Sequence, residues 1–259
     1  MMQLELNGRI ALVTGGSKGI GLACAQSLAS EGVKVVIASR SQDNIDTALQ
    51  TIPGAVGFAA DLTLDEEADS LVEKIESEIG GLDILVNCAG AARRTPPQDL
   101  TPAIWRAAMD AKYFSYINVI DPVVKRMAAR RQGVIVNVIG SGGKVASPTH
   151  LAGGAANAAL MLATVGLASA YADSGLRIIG LNPGTTETDR VAEGLNAEAK
   201  LAGISKEEAL QRAITRIPLG RMATPEEVAN VVTFLSSSKA SYVAGVVIGM
   251  DGVQTATVV

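Results

Sequence analysis

The sequence predicts a doubly wound α/β protein: a parallel sheet of about seven strands with helices on both faces. Short β-branched runs alternate with longer helical patterns, which right-handed crossovers join into a parallel sheet. Hydrophobic residues make up 48% of the 259 residues and aromatics only 3%, so the core is aliphatic, as in sheets covered on both sides. The 27 glycines suit tight turns and close helix packing. A chain of this length buries a sizeable core without disulfides. No Pro/Ser-rich linker or internal repeat divides it, so 1–259 reads as one domain.

The elements follow in order. Arg9–Val13 reads as the first strand and Gly19–Glu31 as a helix. Lys34–Ala38 is the second strand, followed by a helix over Ser41–Thr51. Val56–Ala60 is the third, before a charged helix over Asp65–Ile79. Ile84–Cys88 is the fourth, and Pro102–Arg130 a long helix in which Asp121-Pro122 starts or kinks the second half. Val134–Ile139 is the fifth strand, and Leu151–Ala172 a helix of small residues. Arg177–Leu181 is the sixth strand. Helices over Ser205–Ile214 and Pro225–Ser236 precede a last strand, Val246–Met250.

Composition narrows the function. A net charge of -4 with no long charge run argues against a nucleic-acid partner. One histidine and two separated cysteines exclude a metal cluster. Cys24 and Cys88 lie in apolar stretches and read as buried free thiols of a reducing compartment. The start of the chain has no signal-peptide pattern, and no apolar run reaches the roughly 18 residues that span a bilayer. A cytoplasmic protein without membrane contact is the expectation. The small residues of the Leu151–Ala172 helix, such as Ala152, Gly154, Ala155 and Ala159, suit a second helix packed closely, including one from another subunit.

The first strand runs into Thr14-Gly15-Gly16-Ser17-Lys18-Gly19-Ile20-Gly21, which opens a helix. In that context a glycine turn reads as a dinucleotide fingerprint on a Rossmann-type sheet. The backbone approaches the pyrophosphate, and the helix N-terminus supplies N–H donors and a positive dipole. The second strand ends Ile37-Ala38-Ser39-Arg40, with no carboxylate for the ribose hydroxyls of NAD. Arg40, with Lys18 beside it, suits the 2′-phosphate of NADP, so NADP(H) is expected over NAD(H). Asp61 after the third strand either accepts from the adenine amino group or caps the acidic helix.

The motifs together resemble the short-chain dehydrogenase/reductase family over essentially the whole chain. The matching pieces are Thr14 to Gly21, Asp61-Leu62-Thr63, Asn87-Cys88-Ala89-Gly90, Asn182-Pro183-Gly184 with Thr188, Gly220-Arg221 with Pro225-Glu226-Glu227, and Gly245 to Asp251-Gly252. The resemblance implies seven strands, a nicotinamide dinucleotide and usually a tetramer. It implies that Asn87, Ala89 and Gly90 line the cofactor cleft, and that Leu62, Pro183 and Gly184 belong to its walls. Thr188 would hold the nicotinamide carboxamide. Cys88 stands where the family usually has a second Asn.

The family's catalytic half is altered. The Tyr of its Tyr-x-x-x-Lys pair falls on Gly153 and the Lys on Asn157. Four residues after Tyr113, Tyr116, Tyr171 and Tyr242 lie Ile117, Ile120, Gly175 and Val246, so the motif occurs nowhere. The family's Ser falls on Gly140, with Ser141 adjacent, and its Asn on Lys112. Lys112 and Asn157 thus exchange the family's Asn and Lys. A buried Lys112 has a lowered pKa and acts as acid or base; on the surface it is an ordinary solvated cation. His150, three residues before Gly153, either fills the space of the missing phenol and supplies a proton, or is a surface loop residue. Ser141 orients a carbonyl or serves the glycine turn. Tyr116, one turn after Lys112, is a further proton donor or a core residue.

Arg93, Arg94 and Arg190 follow strand ends, where ligands bind such sheets, and suit an anionic substrate or solvation. Segment 189–217 reads as a substrate lid. The expected function is an NADP(H)-dependent oxidoreductase acting on a small carbonyl or alcohol, assembled as a homodimer or homotetramer. The alternatives are a non-redox lyase or dehydratase, and a non-catalytic dinucleotide-binding sensor.

Overall fold

The computed structural model describes residues 3–90 and 92–256. Seven strands form its sheet: β1 (Ile10–Thr14), β2 (Lys34–Ser39), β3 (Val56–Ala59), β4 (Ile84–Asn87), β5 (Gly133–Val138), β6 (Leu176–Pro183) and β7 (Val247–Met250). All are parallel, in the order β3-β2-β1-β4-β5-β6-β7. The chain builds outward from β1 to β3, then returns to lay β4 against the other side of β1. That reversal opens a crevice at the carboxyl ends of β1 and β4.

Successive strand residues face opposite sides. Val13, Ile37, Val86, Val136 and Ile179 pack under α1 (Gly19–Ser30), α2 (Gln42–Leu49) and α9 (Pro225–Ser236). Their neighbours Leu12, Val36, Leu85, Ile135 and Ile178 pack under α3 (Asp65–Glu78), α5 (Ser115–Arg130) and α6 (Leu151–Ala170). Each of these buried aliphatic side chains contributes about 1.5–3 kcal/mol, so the near-continuous apolar runs hold both helix layers.

The long helix divides differently from the sequence reading. α4 (Pro102–Met109) passes into a single π-helical stretch, Asp110–Phe114, before α5. The irregularity precedes Pro122, which sits inside α5 as a buried residue. A π turn carries one extra residue and reorients its side chains; here that stretch includes the buried Lys112.

Four further expectations need correction. Segment 189–217 holds α7 (Asp189–Ala202) as well as α8 (Lys206–Thr215). Thr188 caps α7, its hydroxyl accepting from Val191 N, and that Thr-Asp start was the overlooked signal. Asp61 does not cap the acidic helix; Leu64 holds the N-cap position, while the Asp61 carboxylate accepts from the Thr63 amide and hydroxyl. Cys88 is half-buried, unlike Cys24. Finally, α6 is 20 residues long with no charge, and an 18-residue window of it has a mean hydropathy of 1.6, enough by length and composition to cross a membrane. Its Asn157 and Thr164 are buried, and Thr164 bonds to Asn137 of β5, which marks it as a layer helix of the sheet.

Candidate active site

The glycine turn closes against the end of β4. Gly15 has φ +66, and a methyl carbon there would stand 2.9 Å from the Ala89 backbone. One on Gly21 would overlap the Gly15 carbonyl. Neither position tolerates a side chain, so the turn and the start of α1 lie as tightly as a pyrophosphate cradle requires. Ser17 is buried and donates to Ser39 Oγ at 3.0 Å, tying the turn to the tip of β2. Lys18 and Arg40 are exposed beside that link, and Ile20 packs on the core below. A methyl on Gly19 would stand 3.3 Å from Thr188 Cγ2, so the start of α7 overhangs the turn.

A buried hydrogen-bond chain fixes this rim. Thr14 Oγ1 donates to Asn87 Oδ1 (3.2 Å), Asn87 Nδ2 to Asn137 Oδ1 (3.0 Å), and Asn137 Nδ2 to Thr164 Oγ1 (3.0 Å). Thr14 Oγ1 also accepts from the Cys88 and Ala89 amides. Such bonds contribute about 1 kcal/mol each and cost more when half broken. Asn87 therefore supports the cleft from beneath; its side chain is fully buried and does not line it. Leu62 is likewise a core residue whose carbonyl accepts from Asn118. Pro183 is buried at the end of β6, with half-buried Gly184 next to it. Thr63 and, more weakly, Arg40 hold the Asp61 carboxyl below the usual range.

The altered half lies next to this rim. A methyl on Gly90 would overlap the Ala111 carbonyl, so the β4 loop packs directly on the π stretch. Lys112 is only 7% exposed and does not snorkel outward. Its Nζ donates to Tyr116 Oη at 2.7 Å and to the Val138 carbonyl at 3.2 Å. Tyr116 Oη also donates to Val138 O, at 2.6 Å. Burial, against a raising effect of Cys88 and with a small lowering one of Arg190, brings the Lys112 pKa down to about 7. Burial pushes the Tyr116 phenol well above its ordinary value.

His150 stands at the N-terminus of α6. A methyl carbon on Gly153 would lie 2.7 Å from His150 Nε2 and 2.8 Å from Ala92 Cβ, so the imidazole occupies the space that a larger residue at 153 would need. Burial first, then Arg94, Arg190 and Lys112, lower its pKa to about 4, and its buried Nδ1 has no hydrogen-bond partner. Asn157 is buried, with Nδ2 3.5 Å from the side-chain positions of Gly140 and Gly142. Ser141 is half-buried and opens the turn Ser141–Gly143, where its carbonyl accepts from Lys144 N. The structure thus gathers Lys112, His150 and Asn157 around the β5–α6 loop. The Lys112–Tyr116–Val138 triangle was only half visible in the sequence, which shows the i, i+4 spacing but not the strand carbonyl.

The family described as "Enoyl-(Acyl carrier protein) reductase" matches residues 15–252. A 3-oxoacyl-(acyl-carrier-protein) reductase FabG of Thermotoga maritima is 33% identical over 253 residues, covering 96% of this chain and 98% of its own. Cis-4-hydroxycyclohexanecarboxylate dehydrogenase of Sinomonas cyclohexanicum is 33% identical over 252 residues, covering 96% and 97%. Among solved structures, L-sorbose reductase from Gluconobacter frateurii, complexed with NADPH and L-sorbose, superposes with a TM-score of 0.93 at 28% identity over 99% of this chain and 100% of that one.

Proposed function

The chain belongs to the short-chain dehydrogenase/reductase family, and from that premise we propose that it is an NADP(H)-dependent oxidoreductase that interconverts a small carbonyl compound and its alcohol through a rearranged proton path. The observation that carries this reading is a tight glycine turn against the end of β4, whose following loop packs on the stretch holding a buried lysine with its pKa brought by burial to about 7.

The cradle fits a dinucleotide because the turn at Gly15 and Gly21 leaves no room for side chains and presents the N-terminus of α1. Ser17, Lys18, Gly19 and Ile20 would hold the phosphates; Ala89, Gly90, Gly184 and Thr188 would flank the nicotinamide. Lys18 and Arg40, exposed beside a strand tip without a carboxylate, favour a 2′-phosphate. A bound nicotinamide dinucleotide supplies or accepts the hydride.

The chain's own residues manage the proton. Lys112, held by Tyr116 and Val138, gives a proton to the substrate oxygen in reduction and takes one in oxidation. A group with a pKa near the working pH does this most effectively. His150 is neutral at physiological pH and fills the space beside Gly153, where it offers the substrate a hydrogen bond. Asn157 and Ser141 line the same loop and orient the carbonyl. Segment 189–217, preceded by Thr188 and with Arg190 at its start, covers the cleft. The outward face of α6 joins a second copy of this chain in a homodimer or homotetramer.

The test is NADPH oxidation over a panel of aldehydes and ketones. Turnover is expected for the wild-type chain, and Lys112→Met should lower kcat by about 100-fold or more. An unaltered rate in Lys112→Met removes Lys112 from the path. NADPH binding without turnover on any compound overturns the redox reading.

A further inference from the structure

We propose that Cys24 and Cys88 are a redox pair: a small peroxide oxidises Cys88 at the mouth of the cleft, and Cys24 then closes a reversible disulfide beneath the glycine turn. The pair goes beyond the reading above; only its effect on NADPH rests on that reading.

Strand alternation brings the two cysteines to one layer. Ile84 and Val86 of β4 face the side that α1 covers, and Leu85 faces the other. Cys88, two residues after Val86, falls on the α1 side and packs on the same apolar cluster. β1 and β4 pair with Val13 beside Val86 and Thr14 beside Asn87, which sets Gly15 next to Cys88. A methyl on Gly15 would stand 3.0 Å from the Cys88 carbonyl carbon.

Cys24 reaches the same place from the helix. A methyl on Gly21 would overlap the Gly15 carbonyl, so that turn of α1 lies directly on the end of β1. Cys24 comes one helical turn later and is fully buried in the cluster that Cys88 joins. A hydrogen bond with Cys88, then burial, lifts the Cys24 thiol well above its ordinary range. These are the two cysteines of the chain.

The two thiols differ in access. Cys24 is sealed in the core, whereas Cys88 is half-buried at the carboxyl end of β4, where the strand-order reversal opens the crevice. A peroxide therefore meets Cys88 first. The Cys88 sulfur attacks one peroxide oxygen and the O–O bond breaks, giving a sulfenic acid and one water. The Cys24 sulfur then attacks the Cys88 sulfur. The S–O bond breaks, and a second water departs with the Cys24 proton. Two thiols lose two electrons and two protons, and the peroxide takes them. Oxidation of Cys88 also removes the thiol contact that most disfavours ionisation of Cys24.

The pair sits where the fold has little slack. Closing it draws α1 toward the end of β4, and Gly15 and Gly21 already leave no room there for a methyl carbon. The glycine turn shifts, and the oxidised chain binds NADPH less tightly.

Stoichiometric hydrogen peroxide, followed by thiol titration of the unfolded chain and non-reducing peptide mapping, tests this. The wild type should lose both thiols, carry Cys24 and Cys88 in one linked peptide, and recover both with dithiothreitol. Cys24→Ser should instead hold a sulfenic acid at Cys88 that dimedone labels, and in Cys88→Ser the Cys24 thiol should remain free. By calorimetry the dissociation constant of NADPH should rise at least about fivefold in the oxidised wild type and return with dithiothreitol. Circular dichroism checks that each form is folded. Sulfinic acid at Cys88 without a linked peptide, or no reaction of either thiol, overturns the pair. Equal NADPH affinity of the reduced and oxidised forms overturns its hold on the turn. The disulfide is read by mapping alone, so a chain that forms it and binds no NADPH in either form strikes the cofactor reading instead.

Discussion

Lys112 and His150 are both held neutral by the fold more than water would allow, and this has a readable pH signature. The Lys112 pKa falls from 10.5 to about 7 and that of His150 from 6.5 to about 4, burial being the main cause for each. Where a group is protonated in the unfolded chain and neutral in the folded one, stability rises with pH. For His150 that window runs from about 4 to 6.5, and for Lys112 from about 7 to 10.5. Lys112→Met removes the buried amine and should raise Tm at pH 6, with the gain shrinking toward pH 10 as the wild-type cost disappears. Thermal melts across pH check this; a constant gain would contradict the burial account. In the reduction direction the rate should fall as pH rises through about 7, since the donor is the ammonium form. Gly153→Ala bears on the other residue. The added methyl displaces His150 and should lower kcat/KM by about tenfold, a loss of roughly 1.4 kcal/mol in transition-state binding. An unchanged value would show that the ring position does not matter.

At the scale of elements, strands were the most legible. Each predicted strand lies within a residue or two of the observed one, because runs such as Val35-Val36-Ile37 are buried on both faces and have no helical period. Helices α1 and α9 were equally plain, bounded by the glycine turn and by Thr224-Pro225. The π stretch was not legible: Lys112 within it meets a carbonyl of β5 that no local pattern announces. Helix α7 was lost among the charges of 189–217 although Thr188-Asp189 begins it. Helix α6 keeps Asn157, Leu160 and Thr164 inward but leaves Leu162 77% exposed, with Val165 exposed on the same side. An apolar outward face on a layer helix suits a second subunit. Leu162→Glu should therefore shift the assembly toward monomer by light scattering, while circular dichroism stays native. An unshifted mass would remove α6 from the interface.

For the whole molecule, the sequence disclosed the glycine turn and the strand-order reversal beside it, because glycine spacing and strand order are local or sequential facts. The catalytic half was legible only as a set of replacements. That Lys112, His150 and Asn157 meet around one loop depends on α6 lying over β5 and on the π turn. Both are properties of packing that one-dimensional spacing does not carry. The buried polar chain Thr14, Asn87, Asn137 and Thr164 ties β1, β4, β5 and α6 together beneath the glycine turn.

The proposed function requires the glycine turn to hold a nicotinamide dinucleotide and Arg40 to receive its 2′-phosphate. Dissociation constants of NADPH and NADH, measured by calorimetry for the wild type and Arg40→Asp, decide this. The wild type should prefer NADPH by about tenfold or more, and Arg40→Asp should erase or invert that preference. Failure of the wild-type chain to bind either nucleotide would contradict the account.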